Sequence, residues 1–285
     1  MFIKTHAPQN ALIMQLLPVL QEASQILFEE YQSYTAGSEF NIHQKSDNSP
    51  VTQADLKINR FLMKALAKIQ PIYPVLSEEN DNSDRHEWPI CWMLDPLDGT
   101  KEFIHERDEF TINLSLIENT KTIFSIIIVP CEQQMYLGFV NERPYKYQFN
   151  HGQWWRYQIA DKQEITQLQV GLSHSSKNTK YQQLTTFIEQ DYPVVRREAG
   201  SAYKFCMMLE GEIDLYPRFH PTSEWDTSAG QGLLESIGGG LITLKGQPFQ
   251  YNKRDTILNA GFLAFTTPEI KDLALNALKQ LQITD

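Results

Sequence analysis

The sequence predicts an α/β protein in two halves: an α+β N-terminal half on a mixed or antiparallel sheet, and a second half in which strands alternate with helices. Three observations carry that expectation. Apolar residues recur at helical spacing before residue 70, short β-branched runs follow from residue 110, and strand-like and helix-like segments alternate after residue 159. The boundary is expected near residue 158, giving units 1–158 and 159–285. A chain of 285 residues has room for one large core or two moderate ones.

Residues 11–34, ALIMQLLPVLQEASQILFEEYQSY, suit an amphipathic helix with Pro18 as a candidate kink, and 54–69, ADLKINRFLMKALAKI, repeat the pattern more cleanly. FTINLSLIE, TIFSIIIVP and QMYLGFV, between 110 and 140, are short alternating or β-branched runs that read as consecutive strands. The aromatic stretch 141–158 is expected to carry hairpin strands. Beyond it, LQVGLS reads as a strand, KYQQLTTFIEQ and AYKFCMMLEG as helices, EIDLYPRF as a strand, and EWDTSAGQGLLESIGGG as a helix ended by glycines. No internal repeat or low-complexity segment interrupts this order.

Composition narrows the class. Hydrophobic residues make up 41% and charged residues 21%, ordinary for a soluble globular chain. The net charge of −10 argues against general nucleic-acid binding, which needs clustered Lys and Arg. An acidic chain that handles phosphates needs metal ions or a few placed bases. Cys91, Cys131 and Cys206 show no C-x-x-C spacing, so neither a zinc site nor a disulfide framework is signalled. No secretory leader is evident, and ALIMQLLPVL is too short and interrupted to span a bilayer. A cytoplasmic protein without an integral membrane segment is expected; peripheral contact with the cytoplasmic face of the inner membrane and the oligomeric state stay open.

Acidic residues recur in turn-like or apolar surroundings: Asp55 in SPVTQAD, Glu78 and Glu79 in VLSEEN, Asp95 and Asp98 in WMLDPLDGTKEF, and Asp226 in EWDTSAG. Unpaired carboxylates packed together would raise one another's pKa, and a hard divalent cation removes that conflict. The Pro96-Leu97 insertion can aim Asp95 and Asp98 at one point and offer the Leu97 carbonyl. Gly99 permits close backbone approach, a helix starting at Thr100 would offer free amides to a phosphate, and the Thr100 hydroxyl with Asp55 could take a proton from water. The bland reading of D-x-x-D alone is a solvated turn or helix cap.

The ordered set SPVTQAD, SEEN, LDPLDGTKEF and EWDTSAG resembles the inositol monophosphatase superfamily of metal-dependent, lithium-sensitive phosphatases over nearly the whole chain. KSDNSPVTQAD, DGTKEF and GSAYKFCMMLEGEIDLYPRFHPTSEWDTSAG are most similar to its bacterial CysQ-type 3'(2'),5'-bisphosphate nucleotidase branch. The resemblance implies a layered α-β-α-β-α sandwich and two or three Mg2+ ions. It also implies inhibition by Li+ and, in sulfur metabolism, hydrolysis of adenosine 3',5'-bisphosphate (PAP) to AMP, with the sulfated relative PAPS as another substrate. It assigns Glu78, Asp95, Leu97 (through its carbonyl), Asp98 and Asp226 to the metals, and Asp55 with Thr100 to water activation. Substrate contacts are implied at Glu78, Leu97, Asp98, Gly99, Thr100, Lys101, Ser201, Lys204, Arg218 and Asp226. The inositol branch carries an acidic residue where LYPRF places Arg218, and a guanidinium there suits a second phosphate.

Two departures stand out: Ser228 replaces the family's usual alanine, and Glu235 is one place from its usual glutamate, so it receives no role. An inositol monophosphatase, another small sugar-phosphate phosphatase and a non-catalytic PAP-binding sensor stay as alternatives. Bland readings fit other candidates. Asp47 reads as a turn residue, Arg196 and Arg197 as solvent-facing charges, and His86, His105, His174 and His220 as structural. Trp154 and Trp155 read as strand packing, and residues 238–240 are not a dinucleotide loop. Glu79 divides evenly between supporting the site and facing solvent, whereas Lys101 leans toward phosphate.

Overall fold

Leucines and alanines at helical spacing build the outermost layer. The computed structural model describes residues 1–45, 50–159, 164–174 and 178–284. Among them are α1 (Ala11–Thr35), α2 (Gln53–Leu66), α3 (Thr100–Ile104), α4 (Thr179–Ile188), α5 (Tyr203–Glu210), α6 (Ser228–Glu235) and α7 (Pro268–Gln280). The Asn10 side chain caps α1 by accepting from the Leu12 and Ile13 amides, and Pro18 lies inside the continuous helix. α1 is longer than the ten-residue run considered from sequence, and by length and composition alone it is apolar enough to cross a membrane. Its Leu16, Leu20, Ala23 and Leu27 side chains are instead buried with α2 and the sheet beneath.

That sheet has eight strands, ordered Phe2–Thr5, Gln153–Tyr157, Tyr145–Gln148, Gln134–Phe139, Lys121–Val129, Thr111–Glu118, Ile90–Asp98 and Val75–Ser77. Only the last pair is parallel. Period-two alternation makes both faces apolar. Trp92, Leu94, Ile112, Leu114, Phe124 and Ile126 face α1 and α2, whereas Cys91, Met93, Ile127, Val129 and Tyr136 belong to the core on the opposite face. Burying each such large side chain contributes roughly 1.5–3 kcal/mol relative to exposure.

α5 and α6 fill the third layer, packed through Phe205, Met208, Leu209, Leu233 and Leu234. On their far side lies a five-stranded sheet, ordered Val194–Glu198, Leu168–Leu172, Leu215–Arg218, Phe262–Phe265 and Gly240–Thr243. Its first three strands run parallel and the remaining pairings are antiparallel. Tyr216, Leu241, Phe262 and Ala264 face the middle helices; Leu168, Val170, Leu215, Leu263 and Phe265 face α4 and α7, which close the fifth layer. This is the α-β-α-β-α arrangement expected above.

Several details differ from the sequence pass. Phe2–Thr5 and Val194–Glu198 are strands that local pattern did not single out, and Phe262–Phe265 and α7 lie beyond the last segment read. The helix expected over 224–240 is shorter. A 3-10 turn covers Glu224–Asp226, and α6 ends at Glu235. Gly239, beyond its end, is needed for space, since a Cβ there would come within 2.3 Å of the Phe265 carbonyl. Trp154 packs on Tyr147 with ring centroids 4.4 Å apart, which is strand packing, and all three cysteines are free thiols.

Candidate active site

The Asp95 and Asp98 side chains converge because the strand carrying them is bulged. Asp95 pairs with Asn113 and Asp98 with Thr111, so three steps on one strand oppose two on its neighbour. The extra residue turns side chains that would alternate across the sheet toward one point. The Leu97 amide donates to Asp95 Oδ1 at 3.1 Å. Gly99 follows with φ of 99°, a left-handed conformation suited to glycine, and α3 starts at Thr100.

Asp55 reaches the same place from the start of α2. Thr52 and Asp55 form a capping box, with the Thr52 amide and hydroxyl donating to Oδ2 at 2.8 and 2.6 Å. Its other oxygen, Oδ1, accepts from the Thr100 hydroxyl at 3.0 Å. The pair expected to activate water is therefore preassembled, with Thr100 Oγ1 also 3.4 Å from the Leu97 carbonyl oxygen.

The second half supplies Asp226 and the cations. Asp226 closes a capping box at the 3-10 turn, accepting from the Thr222 hydroxyl and from the Ser223 amide at 3.2 Å. It completes a cluster with Asp95 and Asp98 in which one carboxylate oxygen from each lies within 4.8 Å of the others. Asp98 Oδ2 accepts from Asn113 Nδ2 at 3.1 Å and from the Ala202 amide at 2.6 Å, while the Ser201 hydroxyl donates to the Asp98 carbonyl at 3.0 Å. Lys204, fully buried, donates to the Ala199 carbonyl at 2.8 Å and lies 4.7 Å from the centroid of Tyr216. Arg218 bonds to Tyr216, while its buried Nε has no hydrogen-bond partner. Asp98, Ser201, Arg218 and Asp226 line one narrow cleft.

Electrostatics sets the chemistry of this space. Burial pushes Asp98 up to about 7, with Asp226 adding repulsion. It raises Asp95 strongly, reinforced by Glu78, Asp98 and Asp226. Burial also raises Asp226 and Asp55, opposed in each by hydrogen bonds to the carboxylate and, for Asp226, first by Arg218. Lys204 falls to about 7, first through burial and then through Arg218. Burial lowers His220, helped by the positive charges of Arg218, Lys204 and Lys101. The site thus has an acidic side and a cationic side.

Glu78 sits at the edge of this arrangement. It hydrogen-bonds Asp95, and burial raises it to about 7, opposed by Lys45. Lys45 pairs with both Glu78 at 2.6 Å and Glu79 at 2.5 Å. The Glu79 side chain is only 6% exposed, so it does not face solvent. Lys101 is exposed on α3.

Asp47 lies outside the described residues. Arg196 pairs with Glu189 at 2.9 Å and Arg197 donates to Gln169, so both brace the second sheet. Glu235 accepts from Gln231 on α6, away from the carboxylates. Ser228 bonds Ser115 at 2.7 Å, a local reason for a hydroxyl at the position of the family's alanine.

Sequence reasoning missed Lys45, Asn113 and the Ala202 amide. No spacing rule links them to the acids, because each contact crosses a long stretch of chain. Thr52 could have been found, since T-x-x-D ahead of an apolar helical run is a capping signature.

The donor atoms fit a hard divalent cation. All are oxygens, and the carboxylates of buried Asp95 and half-buried Asp98 and Asp226 face one another closely enough to raise their own pKa values. Asp95, Asp98, Asp226, Glu78 and the Leu97 carbonyl are the groups available to hold such an ion.

The inositol monophosphatase family model matches residues 11–282. The chain belongs to the inositol monophosphatase family. It is a phosphatase of that family, similar to the 3'(2'),5'-bisphosphate nucleotidase CysQ of Escherichia coli K12, with 34% identity over 235 residues, covering 81% of this chain and 91% of that protein. The CysQ of Salmonella typhimurium is 33% identical over the same coverage. Among solved structures, CysQ from Bacteroides thetaiotaomicron has a TM-score of 0.74 at 29% identity, covering 88% of this chain and 96% of that one. The extragenic suppressor protein SuhB of Bartonella henselae, with a TM-score of 0.76 at 18% identity, covering 95% and 99%, shares the fold. Members of this phosphatase family generally depend on magnesium, which agrees with the donor set of the acidic cluster.

Proposed function

We propose that the chain is a magnesium-dependent 3'(2'),5'-bisphosphate nucleotidase that removes the 3'-phosphate of PAP to leave AMP, with PAPS as a second substrate yielding APS. The observation that carries the substrate is Arg218. A half-buried guanidinium with a buried, unpartnered Nε, within electrostatic reach of Asp98 and Asp226, suits a second phosphate beside the one being cleaved. Its relatives named as CysQ nucleotidases support the same reading.

Asp95, Asp98, Asp226, Glu78 and the Leu97 carbonyl hold two or three Mg2+ ions in this proposal. When bound, the ions supply positive charge to the phosphate and to the departing oxygen. Thr100 Oγ1 takes a proton from the attacking water as its own proton passes to Asp55 Oδ1, the oxygen it already faces at 3.0 Å. Asp55 Oδ2 stays fixed by Thr52, so the carboxylate cannot turn away. The new P–O bond forms as the bond to the ribose 3'-oxygen breaks, and that oxygen leaves with the electron pair and takes a proton from solvent. Arg218, Lys204 and Ser201 orient the nucleotide, and Lys101 meets phosphate at the mouth.

Phosphate release from PAP, PAPS and inositol monophosphate, measured with and without Mg2+ and with added Li+, tests the proposal. The expected result is Mg2+-dependent turnover with PAP preferred and Li+ inhibitory. Preference for inositol monophosphate would transfer the chain to the sugar-phosphate alternative, and PAP binding without release would make it a sensor.

A further inference from the structure

One turn of the second half, residues 199–202, lies directly against Asp98. The Ala202 amide and the Ser201 hydroxyl both bond that residue, and Ser201 adopts φ of 39°, a conformation a non-glycine residue holds only when its surroundings fix it. What fixes it is Glu109, from the loop ahead of the Thr111–Glu118 strand. Glu109 Oε2 accepts from the Gly200 amide at 2.7 Å and from His174 Nε2 at 2.6 Å, while its carbonyl oxygen is 3.5 Å from the Ser201 hydroxyl. His174 follows the Leu168–Leu172 strand, with Nδ1 3.6 Å from Glu198. One carboxylate oxygen therefore ties the large-sheet half to two separate segments of the second half. The fit leaves no slack, since a Cβ on Gly200 would fall 2.4 Å from Glu102 Cγ and 3.2 Å from the Glu109 carbonyl oxygen.

We infer that Glu109 is a positioning residue that locks the 199–202 turn onto Asp98, and so sets both the aim of that carboxylate and the placement of Ser201 toward substrate. Glu109 touches none of the reacting groups. It acts through the Gly200 amide, and a charged acceptor is suited to this because bonds to a carboxylate are shorter and stronger than neutral ones. His174 bonds the same carboxylate oxygen from a second segment. The substrate half of the inference rests on the nucleotidase reading above; the effect on Asp98 does not.

The test compares Glu109→Ala, Glu109→Gln and His174→Ala in the full chain. Amide hydrogen exchange over residues 199–203, read without substrate, is expected to quicken at least about tenfold in Glu109→Ala. In Glu109→Gln, which keeps an oxygen for the Gly200 amide, it should stay within about threefold of the parent. Glu109→Ala should also weaken Mg2+ binding several-fold by calorimetry and raise KM for PAP more than it lowers kcat. His174→Ala, which leaves the Gly200 bond, should fall between.

Parent-like exchange in Glu109→Ala overturns the inference. So does equal damage in the Ala and Gln variants with a matching fall in melting temperature, because that pattern marks a general structural role. If the parent fails to hydrolyse PAP, the nucleotidase reading falls while the exchange result still decides whether Glu109 holds the turn.

Discussion

The two sheets contribute to the site in different ways. The large-sheet half brings Asp55, Asp95 and Asp98 into place largely through bonds to sequence neighbours: Thr52 holds Asp55, and the Leu97 amide holds Asp95. The small-sheet half brings Lys204 and Arg218, held by the nearby Ala199 carbonyl and Tyr216, and the turn at Ser201, whose Ala202 amide reaches across to Asp98. In the proposed reading, short local motifs hold the reacting groups, and the turn at Ser201 is where the second half meets them. Asp98 belongs to both, and variants at these positions should separate the two contributions.

The largest effect is expected where they meet. Asp98→Asn removes a charge from the cluster that also receives the Asn113 and Ala202 donors. Turnover in saturating Mg2+ should fall more than about a thousandfold, on the scale of losing one member of a buried charged group. The far-ultraviolet circular dichroism should stay that of the parent. Full turnover by the purified variant would remove the metal-ligand assignment.

Thr100→Ala tests the local motif alone. Its Asp55 bond is lost while the acidic cluster is kept, so kcat should drop roughly a hundredfold or more, with calorimetric Mg2+ affinity little changed. A matching loss of Mg2+ affinity would show that Thr100 serves the metals rather than water. Arg218→Glu tests the other half. PAP hydrolysis should fall by tens to thousands of times, consistent with truncating a charged contact of about 2–5 kcal/mol, while inositol monophosphate hydrolysis changes far less. Equal losses on the two substrates would strip Arg218 of its selective role.

A smaller effect follows from protons on the acidic side. Asp98 and Glu78 are both raised to about 7, so at pH 6 a cation must displace protons that are already gone at pH 8. Mg2+ affinity should therefore climb at least about tenfold between pH 6 and pH 8, with proton release detectable by calorimetry in buffers of different ionisation heat. Affinity independent of pH over that window would mean that these carboxylates are ionised before the cation arrives.

The same contrast governs what could be read from sequence. The early helices, the central strands and α5 follow from periodicity, and Asp95, Asp98, Asp55 and Asp226 follow from motif order. Asp98 and Asp95 were legible as a pair because the Pro96-Leu97 insertion is local; the bulge is its structural form. Phe2–Thr5 is four residues long and is a strand through pairing with Gln153–Tyr157, a partner no local pattern announces. Glu109 and Lys45 were illegible for a related reason. Each carries an ordinary surface charge in sequence and gains its role from residues brought in by topology, His174 and Gly200 for one, Glu78 and Glu79 for the other.

The smallest expected effect concerns the seam between the large sheet and α6. Ser115 and Ser228 share a hydroxyl bond of 2.7 Å with both residues buried, and the Thr122 hydroxyl donates to the Ser228 carbonyl at 3.1 Å. Ser228→Ala leaves the carbonyl bond intact and removes one neutral side-chain bond, so the stability loss should be about 1 kcal/mol, seen as a lower urea midpoint at unchanged slope. Asp226, two residues earlier, takes its own bonds from Thr222 and Ser223, and these do not pass through Ser228. Turnover should accordingly stay within about twofold of the parent, well inside one 1.4 kcal/mol decade of barrier height. A large loss of activity with little loss of stability would instead mean that the seam transmits the position of α6 to Asp226, and that even this carboxylate depends on how the halves close.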